Sequence, residues 1–211
     1  MVGSFKVDNT KLGRGIYLSK AQVEGNAEII TYDIRVRTPY KEPVMSDVCM
    51  HSVEHILANN LEDFFEKVPD LTRVYFGPMG SATGFYLVVS APIDFVDRDR
   101  IVAAVIGEAC KKGLQEHFIP ANSAKECGNC NTLEYNAEVV SVLIAMKVLA
   151  GRATKGLSEY ESIDSRPKVS AFYTVDFGTK IVQVNSSELS IHDIMALAQN
   201  GVDEFVKALK E

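Results

Sequence analysis

The chain has 211 residues, enough for one well-packed domain with a small addition. Hydrophobic residues make up 46% and charged residues 24%, and the formal net charge is −6. A surface of that sign repels phosphate backbones, and no apolar run approaches the ~20 residues of a membrane span. The first ten residues lack the apolar core of a signal peptide, so we expect a cytoplasmic protein with reduced cysteines.

Strands and helices alternate over the first 150 residues without a regular βαβ rhythm, which favours the α+β fold class. We predict a strand over residues 28–37 and an amphipathic helix over residues 47–66. Two strands, LTRVYFG and GFYLVVS, then flank the glycine-rich turn PMGSATG. A helix from about Val96 to His117, a polar loop and a third helix ending near Ala150 complete this part.

The composition changes after Ala150, and we divide the chain into a main domain, residues 1–150, and a linker with a C-terminal appendage, residues 151–211. Residues 151–167 are polar and predict a linker, whereas VSAFYTV and KIVQV around DFGT predict a hairpin. Ser190 and Asp193 predict the start of a final amphipathic helix that ends near Leu209. About 60 residues are marginal for independent folding, so we expect the appendage to pack on the main body or on a partner.

The strongest chemical signal is the pattern HSVEH inside the helix predicted over residues 47–66. His51 and His55 are four positions apart, so they lie on one helix face and can bind one metal ion together. Glu54 between them can reach a metal-bound water or a substrate as an acid or base. The alternative interpretation is an ordinary helix with two exposed or capping histidines.

The loop ECGNC offers a further metal ligand, because Cys127 and Cys130 lie three positions apart in it. One bound thiolate would give a His2Cys site with an open fourth position, as in catalytic centres. Two bound thiolates would give a closed Cys2His2 structural site, which the spacing slightly favours. A redox pair is a third possibility. Cys49 and Cys110 lie in apolar helical patterns, which indicate core packing.

Five segments resemble the S-ribosylhomocysteine lyase (LuxS) family in order and spacing. They are SFKVDNT (4–10), YDIRVRTP (32–39), MHSVEHILAN (50–59), FGPMGSATGFYLVVS (76–90) and IPANSAKECGN (119–129). The resemblance implies an α+β homodimer with an antiparallel sheet packed against helices, and with active sites at the subunit interface. It also implies that segment 4–10 forms the family's N-terminal strand.

The resemblance further implies one divalent ion per chain, ferrous iron in cells with zinc or cobalt as plausible alternatives, and water as the fourth ligand. The protein ligands would be His51, His55 and Cys127, and Cys130 would have no assigned role. Glu54 would be a general acid/base. The substrate would contact Ser4, Asn9 and Arg35.

Members of this family cleave the thioether of S-ribosylhomocysteine to homocysteine and 4,5-dihydroxy-2,3-pentanedione, the precursor of the quorum-sensing signal autoinducer-2. In that reaction the metal polarises carbonyl groups so that neighbouring C–H groups become acidic. Two protein bases on opposite faces of the substrate move the protons, one a glutamate and the other a cysteine of the glycine-rich turn. The resemblance thus implies a small-molecule substrate, and neither nucleic acid nor membrane as a partner.

The chain departs from the family in that turn, where Ser81 replaces the catalytic cysteine and Ala82 replaces a larger polar residue. A serine hydroxyl is a far weaker acid than a thiol and rarely acts as a base without an activating partner. Asn9 stands where the family usually has histidine, and an amide cannot exchange protons near pH 7. With Glu54 and Ser81 as the catalytic pair, we expect weak or absent lyase activity.

Three interpretations of the departure stay open. The chain could be a paralogue that binds a ligand without turnover, an enzyme altered to act on a related sugar thioether, or an engineered Cys→Ser variant. The rival class is a non-catalytic protein with a closed Cys2His2 zinc site. A metal-bound water, as against four protein ligands, distinguishes the two classes.

Overall fold

A computed structural model of the protein describes residues 7–158 and the backbone of residues 172–176 and 181–185. A four-stranded antiparallel sheet, in the order β1-β2-β4-β3, packs with three helices, so the predicted α+β class is confirmed. The strands are β1 (Gly15–Glu24), β2 (Ala27–Arg35), β3 (Thr72–Pro78) and β4 (Gly84–Pro92). The helices are α1 (Asp47–Phe65), α2 (Arg98–Glu116) and α3 (Ala137–Ala153), and a short 3-10 turn spans Cys130–Thr132.

Alternate residues of β4 carry the sheet's part of the hydrophobic core. Phe85, Leu87, Val89 and Ala91 are buried, whereas the residues between them are half-buried, as expected of a strand with one face on the core. Buried residues of all three helices belong to the same core, including Cys49 and Cys110. The prediction that these two cysteines serve core packing is therefore confirmed.

Strand β1 was not predicted, and the strand expected over residues 4–10 is wrong for its described part. Residues 7–10 form a turn, because the Asp8 carboxylate accepts hydrogen bonds from the backbone N–H (3.0 Å) and the hydroxyl (2.6 Å) of Thr10. In β1 a register shift between Leu18 and Lys20 interrupts the alternation of apolar and polar residues. That irregularity removed the two-residue period by which a strand is recognised in a sequence.

The starts of α1 and α3 are joined by their caps. Ser46 caps α1 by accepting from the backbone N–H of Cys49 at 3.1 Å, and its hydroxyl donates to Glu138 of α3 at 2.6 Å. Asn136 caps α3 in turn. Helix α2 ends at His117, which is exposed and has a backbone in the left-handed region.

The C-terminal hairpin is confirmed, since β5 (Phe172–Asp176) pairs in antiparallel fashion with β6 (Ile181–Asn185). The predicted final helix, with Ser190 and Asp193, lies outside the described residues, as does most of the linker. The division into residues 1–150 and 151–211 stays a prediction. Among the helices that the structure describes, none is long and apolar enough to cross a membrane.

Candidate metal centre

Helix α1 and the loop before the 3-10 turn bring three metal-binding side chains together. His51 and His55 face each other one turn apart, with ring centroids 4.7 Å apart and the rings nearly perpendicular. The Cys127 sulfur lies 3.3 Å from Nε2 of His51, and the three ligand atoms all lie within 4.8 Å of one another. Ligand atoms around a tetrahedral zinc lie roughly 3.4–3.8 Å apart, given metal–ligand distances of about 2.0–2.3 Å. The cluster therefore has the size of a metal site.

The hydrogen bonds of the two histidines fix the ring nitrogens that face this cluster. Nδ1 of His55 lies 2.9 Å from the carbonyl oxygen of Pro120, which can only accept, so Nδ1 carries the proton and Nε2 has a free lone pair. Nδ1 of His51 lies 2.7 Å from the hydroxyl of Thr132, whose single hydrogen is donated to the carbonyl of Asn129. Thr132 must therefore accept from His51, so the lone pair of Nε2 is directed at the cluster, where the Cys127 sulfur lies 3.3 Å away.

The sulfur of Cys127 also has a supporting donor. The backbone N–H of Asn129 donates to it at 3.3 Å, a contact that holds the sulfur in one orientation. Within the described residues, the ligand cluster contains Cys127 but not Cys130. This grouping favours three protein ligands and an open fourth position over the closed Cys2His2 alternative.

Glu54 lies on α1 between the two histidines and is half-buried. Across residues 7–158, its carboxylate is in no hydrogen bond or ion pair. A carboxylate that is not engaged elsewhere is free to accept or return a proton.

The glycine-rich turn forms a second polar cluster with the end of β2. Arg35 is buried and donates two hydrogen bonds to the Asp33 carboxylate, with nitrogen–oxygen distances of 3.1 and 2.5 Å. Its Nη1 donates to the hydroxyl of Thr83 at 2.6 Å, and that hydroxyl lies 2.8 Å from the hydroxyl of Ser81. The predicted substrate-binding arginine and the predicted catalytic position are thus connected through a single threonine.

Close packing of β4 on β2 holds this second cluster in place. A Cβ on Gly84 would lie 2.3 Å from the carbonyl oxygen of Ile34, a distance that only glycine permits. The carbonyl of Thr83 accepts from the backbone N–H groups of Val36 and Arg37, both at 3.0 Å. Together these contacts fix Thr83 beside Arg35.

The second cluster opens onto a cleft of about 450 Å³, a volume typical of small-molecule sites. Ser81, Thr83 and Asn9 line this cleft, so two of the predicted site residues, Asn9 and Ser81, meet there. The remaining lining residues belong to segment 39–44: Pro39, Tyr40, Lys41, Glu42 and Val44. Ser4, the other predicted substrate contact, lies outside the described residues.

The start of α1 connects the two clusters. The backbone N–H of Met45 donates to the carbonyl of Ala82 at 2.9 Å, next to the α1 cap Ser46 and six residues before His51. Ala82 itself has φ 54°, a conformation that costs a non-glycine residue roughly 1–2 kcal/mol. The turn thus adopts a strained backbone while it is tied to the helix that carries the metal cluster.

Burial separates the inert thiols from the accessible ones. Burial raises the pKa of the Cys49 thiol to about 12, with a further contribution from the charge of Glu138. Burial likewise raises the pKa of the Cys110 thiol, and both thiols are therefore protonated at neutral pH. Cys127 and Cys130 are half-exposed, so the accessible thiols are those of the ECGNC loop.

The sequence did not indicate the residues that orient the predicted ligands and the predicted catalytic position. They are Pro120, Asn129 and Thr132 around the first cluster, and Asp33 and Thr83 around the second. Asp33, Thr83, Pro120 and Asn129 lie inside the five segments that resemble the family. Their position close to a predicted ligand or to the glycine-rich turn was the signal that could have indicated them.

Comparison with known proteins agrees with the site. Residues 2–153 match the family model described as S-Ribosylhomocysteinase (LuxS). The S-ribosylhomocysteine lyase of Borreliella burgdorferi strain ZS7 is 38% identical over 131 residues, covering 61% of this chain and 78% of the relative. Those of Finegoldia magna and Clostridium beijerinckii are 37% and 36% identical, covering 61% of this chain and 78% and 77% of the relatives. The resemblance seen in the sequence is confirmed, and the chain belongs to the LuxS family, which acts on a small-molecule substrate.

Proposed function

We propose that the protein binds one divalent ion and an S-ribosylhomocysteine-like thioether, and that it cleaves this compound weakly or not at all. The proposal rests on one observation, which is that the first cluster retains its expected functional groups and the second does not. Both histidines of the first cluster are oriented as metal ligands, whereas the second presents the hydroxyl of Ser81 where the family has a thiol. The cofactor would be retained while one proton-transfer group is lost.

His51, His55 and Cys127 would hold the ion, with the fourth position open to water or substrate. When bound, the ion would supply Lewis-acid polarisation of a substrate carbonyl. One thiolate and two imidazoles suit ferrous iron, zinc and cobalt, and we propose ferrous iron as the native metal with the other two as functional substitutes.

Glu54 would transfer protons on one face of the substrate, because it lies between the two histidines on α1 and its carboxylate is not engaged elsewhere in the described residues. Arg35 and Asn9 would orient the ligand in the cleft, with Ser4 as a further contact. Ser81 would have to act as the second base, for which a hydroxyl is poorly suited. A well-placed acid–base group contributes roughly 10²–10⁴-fold in rate, so its loss leaves weak turnover.

A homodimer would complete the site. Two side chains at the rim of the cleft are strongly exposed, Tyr40 at 86% and Val44 at 59% of their full accessible area. Apolar surface beside a binding cleft favours cover by a second subunit. A cytoplasmic location would keep all four cysteines reduced, in keeping with their free state.

The test is release of homocysteine from S-ribosylhomocysteine by wild type and Ser81→Cys, loaded with the same metal to the same occupancy. We expect little or no release by the wild type and a rise of roughly 10-fold or more in Ser81→Cys. Ser81→Ala is the matched control and should release no more homocysteine than the wild type. Rapid turnover by the wild type would refute the proposed loss, and no turnover by any variant with metal bound would favour a different thioether.

A further inference from the structure

A chain of hydrogen bonds leads from a buried cation to the cleft. Arg35, which is 5% exposed, donates to the hydroxyl of Thr83 at 2.6 Å. Thr83 is 4% exposed, and its hydroxyl lies 2.8 Å from that of Ser81 on the cleft wall. The guanidinium of Arg35, at the start of these hydrogen bonds, is also paired with Asp33 and is therefore held in one orientation.

The hydrogens in this chain can be placed by counting donors. A guanidinium only donates, so the Thr83 oxygen accepts from Arg35, and its own hydrogen needs an acceptor. Within residues 7–158, the partners of that hydroxyl are Arg35 and Ser81. If Ser81 donated instead, the Thr83 hydrogen would be buried without an acceptor, which is unfavourable. The order of donation is therefore Arg35 to Thr83 to Ser81.

We propose that Thr83 is a positioning residue that makes Ser81 a hydrogen-bond donor directed into the cleft. Because one lone pair of the Ser81 oxygen is occupied by Thr83, the hydroxyl hydrogen is left for a ligand. Polarisation by Arg35 through Thr83 strengthens that donation and weakens the oxygen as a base. The partner it fits is an electron-rich oxygen, such as the carbonyl or hydroxyl of an opened sugar. This inference rests on the proposed function only for the identity of that ligand.

The hydrogen bond from Thr83 should change the pKa of a thiol placed at position 81, and this change can be measured. A hydroxyl that donates to the sulfur stabilises the thiolate and lowers the pKa of the thiol. In the variant Ser81→Cys, adding Thr83→Val removes the donor at nearly constant volume. Adding Thr83→Ser instead keeps the hydroxyl and is the matched control. Lys41 and Glu42 also line the cleft, but their charges are common to all variants.

The pKa of the new thiol is measured by the pH dependence of its alkylation with iodoacetamide. Cleavage after Arg73 and Arg98 yields residues 74–98, a peptide without other cysteines. Mass spectrometry of this peptide therefore measures the alkylation of the new thiol alone. We expect the pKa to rise by roughly one unit or more with Thr83→Val, a tenfold loss of thiolate at a given pH, and little change with Thr83→Ser.

An unchanged pKa with Thr83→Val, in protein that keeps its circular dichroism and metal content, would overturn the proposal. An equal rise with both Thr83 variants would also overturn it, since the hydroxyl would then not be responsible. The measurement needs neither substrate nor turnover. A failure of the proposed lyase function would leave the thiol titration unaffected, so the two outcomes can be told apart.

Discussion

Replacement of Thr132 by valine should weaken metal binding although Thr132 is not itself a ligand. The Thr132 hydroxyl accepts the Nδ1 proton of His51 at 2.7 Å and donates to the Asn129 carbonyl at 3.0 Å. In Thr132→Val that proton loses its acceptor and can move to Nε2, where it blocks the lone pair directed at the cluster. Loss of such a supporting contact typically lowers metal affinity 10–100-fold, which corresponds to roughly 1.4–2.8 kcal/mol.

The affinity is measured by competition for Zn²⁺ with a chromophoric chelator, on the wild type, Thr132→Val and Thr132→Ser. The serine variant keeps the hydroxyl and should bind zinc within a few-fold of the wild type. Circular dichroism should be the same for all three proteins, since Thr132 lies in a short turn at the surface of α1. Equal affinity of the wild type and Thr132→Val would refute the reasoning, because His51 would then be oriented by something other than this hydroxyl.

Three further predictions concern the ligand set, the cleft and the assembly. Cys127→Ser should lose most of the bound metal and Cys130→Ser should not, as measured by metal analysis after gel filtration; equal losses would support the closed site. Arg14 lowers the pKa of the Glu42 carboxyl to about 2 from 4.5, so this pair stabilises the fold above about pH 4.5 and loses its effect as the pH falls towards 2. Glu42→Gln should therefore lower the free energy of unfolding in urea by about 1 kcal/mol or less at pH 7, because Arg14 is 41% exposed. Near pH 2 the variant and the wild type should be equally stable. A difference in stability that is the same at both pH values would contradict this. Light scattering should give twice the mass of 23.2 kDa, and a monomer at micromolar concentration would refute the homodimer.

The parts of the site that follow from local spacing could be predicted from the sequence. Two histidines four positions apart on an α-helix must lie on the same face. The pairing of His51 and His55 could therefore be predicted as soon as α1 was predicted. The resemblance to the family placed Cys127 in the loop and Arg35 on the strand. In both cases one segment of the chain contained the whole signal.

The supporting residues could not be predicted because their contacts span long stretches of the chain. Thr132 is 81 positions from His51, and Thr83 is 48 positions from Arg35. The second contact depends on the register of β2 against β4, which pairs Arg35 with Gly84. Register is set by the pairing of whole strands and by which face is buried, and neither is visible from one residue and its neighbours. The same limitation hid β1, whose register shift disturbs its pattern.

The two clusters respond differently to the replacement of cysteine by serine, and the contacts explain why. In the described part of the chain, the hydrogen bonds that orient the proposed metal ligands come from Pro120, Asn129 and Thr132, and none of them comes from the turn that carries Ser81. A change at position 81 therefore leaves the metal ligands as they are. Arg35 and Thr83 also keep their geometry, because a hydroxyl accepts the same hydrogen bond that a thiolate would. Under the proposed function, what changes is the ability to take a proton, so the molecule would retain the means to bind and orient a polar ligand while losing one means of deprotonating it.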